Sequence, residues 1–222
     1  MSLYVIAGAG TDIGKTYVTR LLIARLRAAG RAVQPLKPVA SGVADLTDPA
    51  FADSDTARLL DALGETATAA AVEACSPWRF REPLSPDMAA AAEGREVRLE
   101  AVLAWIRARR DAAPAGTVTL LEGVGGVMSP MTSDALNLAV IKALAAPVVL
   151  VTGSYLGAIS HALTALETLK AHGAAVHAVV VNETAGSGVD FAATMASLAR
   201  HAPQARFIPL RQHARAIDLD LA

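Results

Sequence analysis

Short, continuously apolar runs rich in β-branched residues alternate along this chain with longer stretches whose apolar positions recur every three or four residues. The runs fall at 3–7, 32–36, 117–122, 146–152, Val176–Asn182 and 206–209. Successive side chains of a strand point to opposite faces, so a run with no polar alternation predicts a strand buried on both faces. Helical spacing follows residue 14 as far as Gly30, a good C-terminal cap, and returns at 101–110, 135–145, 157–172 and Phe191–His201. Strands that are apolar throughout, separated by helices, predict an α/β fold: a mostly parallel sheet covered by helices on both faces. In such sheets ligands bind beyond the carboxyl ends of the strands, so the polar residues found there are the functional candidates. Segment 41–95 reads as irregular, with Pro49, Pro77, Pro83 and Pro86. It is too long for an ordinary connection, which suggests that it carries function. No repeat or composition break divides the chain, so residues 1–222 are expected to form one domain.

Composition narrows the setting. The chain is 53% hydrophobic with a mean hydropathy of +0.39, much of it alanine on amphipathic helices. That predicts a well-covered sheet or a subunit interface rather than a membrane span, because no apolar run approaches the roughly 20 residues a bilayer requires. The start of the chain lacks the basic residues of a secretory leader, and the single Cys75 allows no internal disulfide; both predict a cytoplasmic protein. With a net charge of −1 and no basic run, nucleic-acid binding has no electrostatic support. The five histidines have no metal-ligand spacing.

The chemistry begins where the first strand ends. Gly8-Ala9-Gly10-Thr11-Asp12-Ile13-Gly14-Lys15-Thr16 joins a strand to a helix and is built as a phosphate cradle. Backbone N–H groups and the helix N-terminus face the anion, Lys15 reaches the outer phosphates, and the Thr16 hydroxyl is placed for Mg2+. The motif makes the sheet one of the P-loop NTPase type, with Asp12, Ile13, Gly14, Lys15, Thr16 and Tyr17 as the nucleotide-binding turn. Other strand ends add polar groups. Lys37, before Pro38-Val39-Ala40-Ser41-Gly42, is either a second cation beside the phosphates or a solvated surface lysine. Glu122, before Gly123-Val124-Gly125-Gly126, is either a metal partner opposite the phosphate loop or an incidental capping carboxylate. Of Asp53-Ser54-Asp55, which opens a helix, one residue is expected as the N-cap, leaving a carboxylate free for the metal. Thr16, Asp55 and Glu122 would suffice for Mg2+, which binds few protein groups. Asn182 suits recognition of an adenine amino group or, equally, a turn.

Together these segments resemble the dethiobiotin synthetase family. The resemblance runs from about residue 4 to about residue 210. It is carried by the phosphate loop, Lys37-Pro38-Val39-Ala40-Ser41-Gly42, Asp53-Ser54-Asp55, Glu82-Pro83-Leu84-Ser85-Pro86 and Glu122-Gly123-Val124-Gly125-Gly126. Leu156-Gly157-Ala158-Ile159-Ser160-His161, Val181-Asn182 and Ile208-Pro209-Leu210 complete it. It implies a Mg2+- and ATP-dependent ligase. In the family's reaction 7,8-diaminopelargonic acid captures CO2 as a carbamate, ATP phosphorylates the carbamate, and the second amine closes the ureido ring. ADP and phosphate leave. By the same resemblance Lys15, Lys37 and Thr11 are catalytic, and Thr11, Lys37, Ser41, Ser85 and Gly125 contact substrate. Thr16, Asp55 and Glu122 hold Mg2+, while Asn182 and Pro209 hold adenine. A homodimer is implied, with the segment 156–161 at its interface and the substrate tail near it.

The chain departs from the family pattern in the loop residues Ala9-Gly10-Thr11-Asp12, in Asp87 after Ser85-Pro86 where histidine is usual, and in Tyr155 and Ser160 where lysine and asparagine are usual. Two other readings use the same fold. One is an ATP-dependent amide-forming synthetase of the cobyrinic acid type, which needs a glutaminase partner. The other is a partitioning-type ATPase, whose signature lysine would stand where this chain has Gly10.

Overall fold

The computed structural model of the chain describes residues 2–221. Its first half runs β1 (Ser2–Gly8), α1 (Lys15–Ala28), β2 (Val33–Leu36), β3 (Val39–Ala40), a 3-10 turn (Pro49–Asp53), α2 (Asp55–Leu63), α3 (Ala69–Cys75) and β4 (Trp78–Arg79). It continues through α4 (Pro86–Ala92), α5 (Leu99–Ala112), β5 (Val118–Glu122), α6 (Asn137–Leu144), β6 (Val148–Gly153), α7 (Ala158–Ala171), β7 (Val176–Asn182), α8 (Phe191–His201) and β8 (Phe207–Leu210). Six strands pair in the order β2-β5-β1-β6-β7-β8, all parallel, and β3 pairs with β4 in a separate two-stranded ribbon.

The alternation of each strand decides which layer its side chains enter. Tyr4 and Ile6 of β1 join Val118, Leu120, Val149, Val151 and Val180 under α1 and α2, with Val18, Leu22, Leu59 and Leu60 from the helices. Leu3, Val5 and Ala7 join Leu121, Val148, Leu150 and Val179 on the other face, covered by Val102 and Ile106 of α5, Ile141 of α6 and Leu169 of α7. Burying a Leu or Ile side chain contributes about 1.5–3 kcal/mol, which is why aliphatic residues dominate both faces of these strands.

The strand order also fixes where a ligand can bind. From β1 the chain first builds β2 and β5 on one side and then β6, β7 and β8 on the other. The crevice at such a reversal opens beyond the carboxyl end of β1, where the glycine-rich turn lies.

Two expectations need correction. Segment 41–95 is not irregular: it holds the 3-10 turn, α2, α3, β4 and α4, with Asp48, Ser54 and Thr68 accepting N-cap hydrogen bonds from Ala50, Ala57 and Ala71. These pieces are too short for hydrophobic periodicity to register, and the caps order them instead. The helices expected at 101–110 and 135–145 run Leu99–Ala112 and Asn137–Leu144. Beyond β8 the chain returns across α1, burying Ile217, Leu219 and Leu221 in that helix's cluster. No helix among the described residues is long and apolar enough to cross a membrane.

Candidate active site

The turn between β1 and α1 is shaped by left-handed backbone at Asp12 (φ 55°) and Gly14 (φ 91°). A side chain at Gly14 would be strained at that φ and would place its Cβ 2.3 Å from Asn182 Nδ2. No side chain caps the first turn of α1, so its N–H groups face the cleft. Asn182, at the end of β7, donates through Nδ2 to the Ile13 carbonyl at 3.1 Å and so props the turn from behind. Pro209 lies beside it on β8, paired in register with Val181 of β7.

In front of the turn sits a four-member charge cluster. Lys15 Nζ donates to the Gly10 carbonyl at 3.2 Å. Lys37 Nζ, buried, pairs with Asp55 Oδ2 at 2.7 Å and Glu122 Oε1 at 2.8 Å. Thr16 Oγ1 lies 2.7 Å from both Asp55 Oδ1 and Glu122 Oε1. Burial opposes charge on Lys37, but the Glu122 and Asp55 carboxylates outweigh it and hold the ammonium above its ordinary range. Burial likewise disfavours the Asp55 carboxylate, and the Lys37 ammonium with its hydrogen bond overcomes that and lowers the group. Lys15 shifts the other way, down to about 8, chiefly through burial and then through repulsion by Lys37.

The donor set fits a hard divalent cation. One hydroxyl proton on Thr16 serves one carboxylate, so its second 2.7 Å contact brings two acceptor oxygens together, a contact that a cation relieves. All three groups are oxygens, as Mg2+ prefers. The fold also resolves the Asp53-Ser54-Asp55 alternatives. Ser54 is the N-cap of α2, Asp53 turns outward to Arg58, and Asp55 enters the cluster.

The turn 123–126 forms the opposite wall. Asn137 Nδ2 donates to the Val124 carbonyl and, at 2.8 Å, to that of Gly126; Ser129 Oγ accepts from Gly126 N–H at 2.7 Å. Gly125 is left-handed (φ 61°), and a Cβ there would lie 2.4 Å from Ser129 Oγ and 3.5 Å from Thr11 Oγ1. Only glycine lets this wall approach the phosphate turn so closely.

Between the walls is a cleft of about 530 Å3, large enough for a nucleotide's phosphates and a small second substrate. Thr11, Asp12, Gly14, Lys15, Thr16, Tyr17, Lys37, Ser41, Asp55, Ser85 and Gly125 all line it. Glu122 reaches it through Thr16 and Lys37, while Ile13, Asn182 and Pro209 stand behind the phosphate turn, outside its lining. The Ser85 hydroxyl donates to Asp87 at 2.5 Å, so the carboxylate found in place of histidine sits one hydrogen bond from the cleft. Tyr155 and His161 contact each other at 2.8 Å, next to a nearly fully exposed Leu156. The sequence reading missed Thr19, Ser129 and Asn137. Thr19 had a signal: three residues after Thr16 on a helix, it shares that residue's face.

A family model described as an AAA domain matches residues 2–210. The ATP-dependent dethiobiotin synthetase BioD of Methylobacterium nodulans is 55% identical over 91% of this chain and 90% of its own length. That of Phenylobacterium zucineum is 47% identical over 91% and 85%. Among solved structures, the MinC:MinD cell division protein complex of Aquifex aeolicus matches with a TM-score of 0.54 at 12% identity, covering 97% of this chain and 83% of that one. A ParA family ATPase from Chlorobium tepidum matches with a TM-score of 0.53 at 13% identity, covering 96% and 87%. At that identity the likeness shows the shared P-loop NTPase fold alone.

Proposed function

Since the chain belongs to the ATP-dependent dethiobiotin synthetase family, we propose that its cleft closes the ureido ring of dethiobiotin from 7,8-diaminopelargonic acid, CO2 and ATP. The observation that carries the reading is the placement of Lys37 at the floor of the cleft, buried and charged, with Lys15 beside it. A carbamate, an ATP γ-phosphoryl group and their shared transition state are all anionic, and two fixed ammonium groups in a partly desolvated site offset that charge.

In sequence, one amine of the substrate adds to CO2 and gives up a proton, forming the carbamate. A carbamate oxygen attacks the γ-phosphorus and ADP leaves. The second amine attacks the carbamoyl carbon, the carbon–oxygen bond to phosphate breaks, and the ring closes. Lys15 and Lys37 bracket the transferring group, and Thr11 with Ser41 donates hydroxyl hydrogen bonds to the carbamate or diamine. Ser85 and Gly125 shape the wall against the carbon chain. Thr16, Asp55 and Glu122 would hold Mg2+, which would neutralise phosphate charge when bound. The N–H groups from Asp12 to Tyr17 hold phosphates, and Asn182 with Pro209 takes the adenine. Catalysis rests on positioning and electrostatics, with no covalent enzyme intermediate.

The reading extends to the whole chain: one domain over 1–222, acting in the cytoplasm as a homodimer, with the surface around Leu156–His161 in the subunit contact. The exposed Leu156 beside the Tyr155–His161 pair supports that face.

Labelled bicarbonate tests the reaction. With Mg-ATP, label is expected to become acid-stable only when 7,8-diaminopelargonic acid is present, because a simple carbamate loses CO2 in acid. Label that stays acid-labile, from protein that binds nucleotide, would overturn the substrate assignment.

A further inference from the structure

Glu122 is buried with both carboxylate oxygens engaged. Oε1 meets Thr16 Oγ1 at 2.7 Å and Lys37 Nζ at 2.8 Å, on the side of the cleft. Oε2 points away and accepts from Thr19 Oγ1 at 2.8 Å. Thr19 has no exposed surface, so bulk water cannot replace its hydroxyl. The same hydroxyl lies 2.9 Å from the Lys15 carbonyl in its own helix. It has one proton to give, and the charged acceptor forms the stronger bond.

We propose that Thr19 is a positioning residue for the reaction: by holding Glu122 Oε2 it fixes the plane of the carboxylate and presents Oε1 to Thr16, Lys37 and the cation. The position has a local logic. Thr16 and Thr19 are i,i+3 neighbours on α1, so one rigid helical turn carries both hydroxyls that meet the Glu122 carboxylate from two sides. β5 brings the carboxylate from a hundred residues away in sequence, and Thr19 locks its rotation where β5 ends. Partners that orient a metal-binding carboxylate from behind are worth about 10- to 100-fold in metal affinity.

This inference rests on the assignment of Mg2+ to Thr16, Asp55 and Glu122. Calorimetry of ADP with Mg2+ and with a chelator separates the two, because the ratio of affinities reads the metal held by the protein and involves no turnover. In Thr19→Val, which keeps shape and removes the donor, we expect the Mg2+-dependent gain in ADP affinity to fall about tenfold. Metal-free ADP affinity stays unchanged, and turnover falls in parallel. Thr19→Ser restores the gain. Should the valine variant not fold, Thr19→Ala compared with Thr19→Ser differs by the hydroxyl alone and reads the same quantity. An unchanged Mg2+ gain in Thr19→Val or Thr19→Ala, or an equal loss in Thr19→Ser, overturns the positioning role and leaves the metal assignment standing. No Mg2+ gain in the unsubstituted protein overturns both.

Discussion

The two cleft lysines are chemically alike and electrostatically opposite. Lys37 has two carboxylates within 2.8 Å, whereas Lys15 has a neutral carbonyl and a neighbouring ammonium. Lys37 is therefore a permanent cation. Lys37→Ala is expected to keep its fold and most of its nucleotide binding while losing nearly all turnover, measured side by side by calorimetry and product formation. Near-normal turnover would remove Lys37 from the mechanism. Lys15, lowered to about 8 by burial and by Lys37, responds instead to its ligand. Bound phosphates favour its ammonium form and raise its pKa, so ATP binding above pH 8 must draw in a proton. Calorimetry at pH 8.5 in buffers of different ionisation enthalpy should show proton uptake that vanishes in Lys15→Met. At pH 6.5, where Lys15 is already protonated, its share of the uptake should be absent.

At the scale of elements, α1 does most of the positioning. Its N-terminus faces the phosphates, its first turns carry Lys15, Thr16 and Thr19, and its other side is covered by α2 and by the tail beyond β8. That tail is anchored mainly by Ile217, Leu219 and Leu221, all buried. Arg25 pairs with Asp218 and Asp220 at the surface, where solvent screens the charges. Tyr17 adds a hydrogen bond to the Ala214 carbonyl. Ending the chain at Arg215 removes three buried aliphatic side chains, about 4.5–9 kcal/mol at ordinary burial values. Against a typical total of 5–15 kcal/mol, a thermal melt should show a large fall in Tm. An unchanged Tm would mean that α1 needs no cover from the tail.

For the molecule as a whole, the sheet order places every charged group of the site at one end. β1, β5 and β6 are neighbours, so the phosphate turn after β1 and Glu122 at the end of β5 meet although they are distant in sequence. The same end carries Tyr155, Leu156 and His161, the face assigned to the subunit contact. Sedimentation equilibrium is expected to give twice the 22.8 kDa of one chain, and Leu156→Asp to shift it toward the monomer. A chain that is monomeric at every concentration would confine the substrate pocket to a single copy.

Much of this was readable from the sequence because the signals are local. Apolar runs mark strands at positions 3–7 or 176–182 since a strand covered on both faces is built mainly of apolar residues, and Gly14-Lys15-Thr16 announces a phosphate turn because backbone and cation chemistry are encoded within a few residues. Strand ends such as Lys37 and Glu122 followed from the same logic. What the sequence left open were choices between equals: which of Asp53, Ser54 and Asp55 caps the helix, whether Lys37 is solvated or buried, and whether Asn182 serves a turn. Two were settled by partners far along the chain: Asp55 by Thr16 and Lys37, which leaves Ser54 to cap the helix, and Lys37 by Asp55 and Glu122. Thr19 belongs to the same group, its hydroxyl paired with an oxygen 103 residues away. Periodicity records which face of an element is buried; only the order of strands in the sheet decides what that face, or that strand end, will touch.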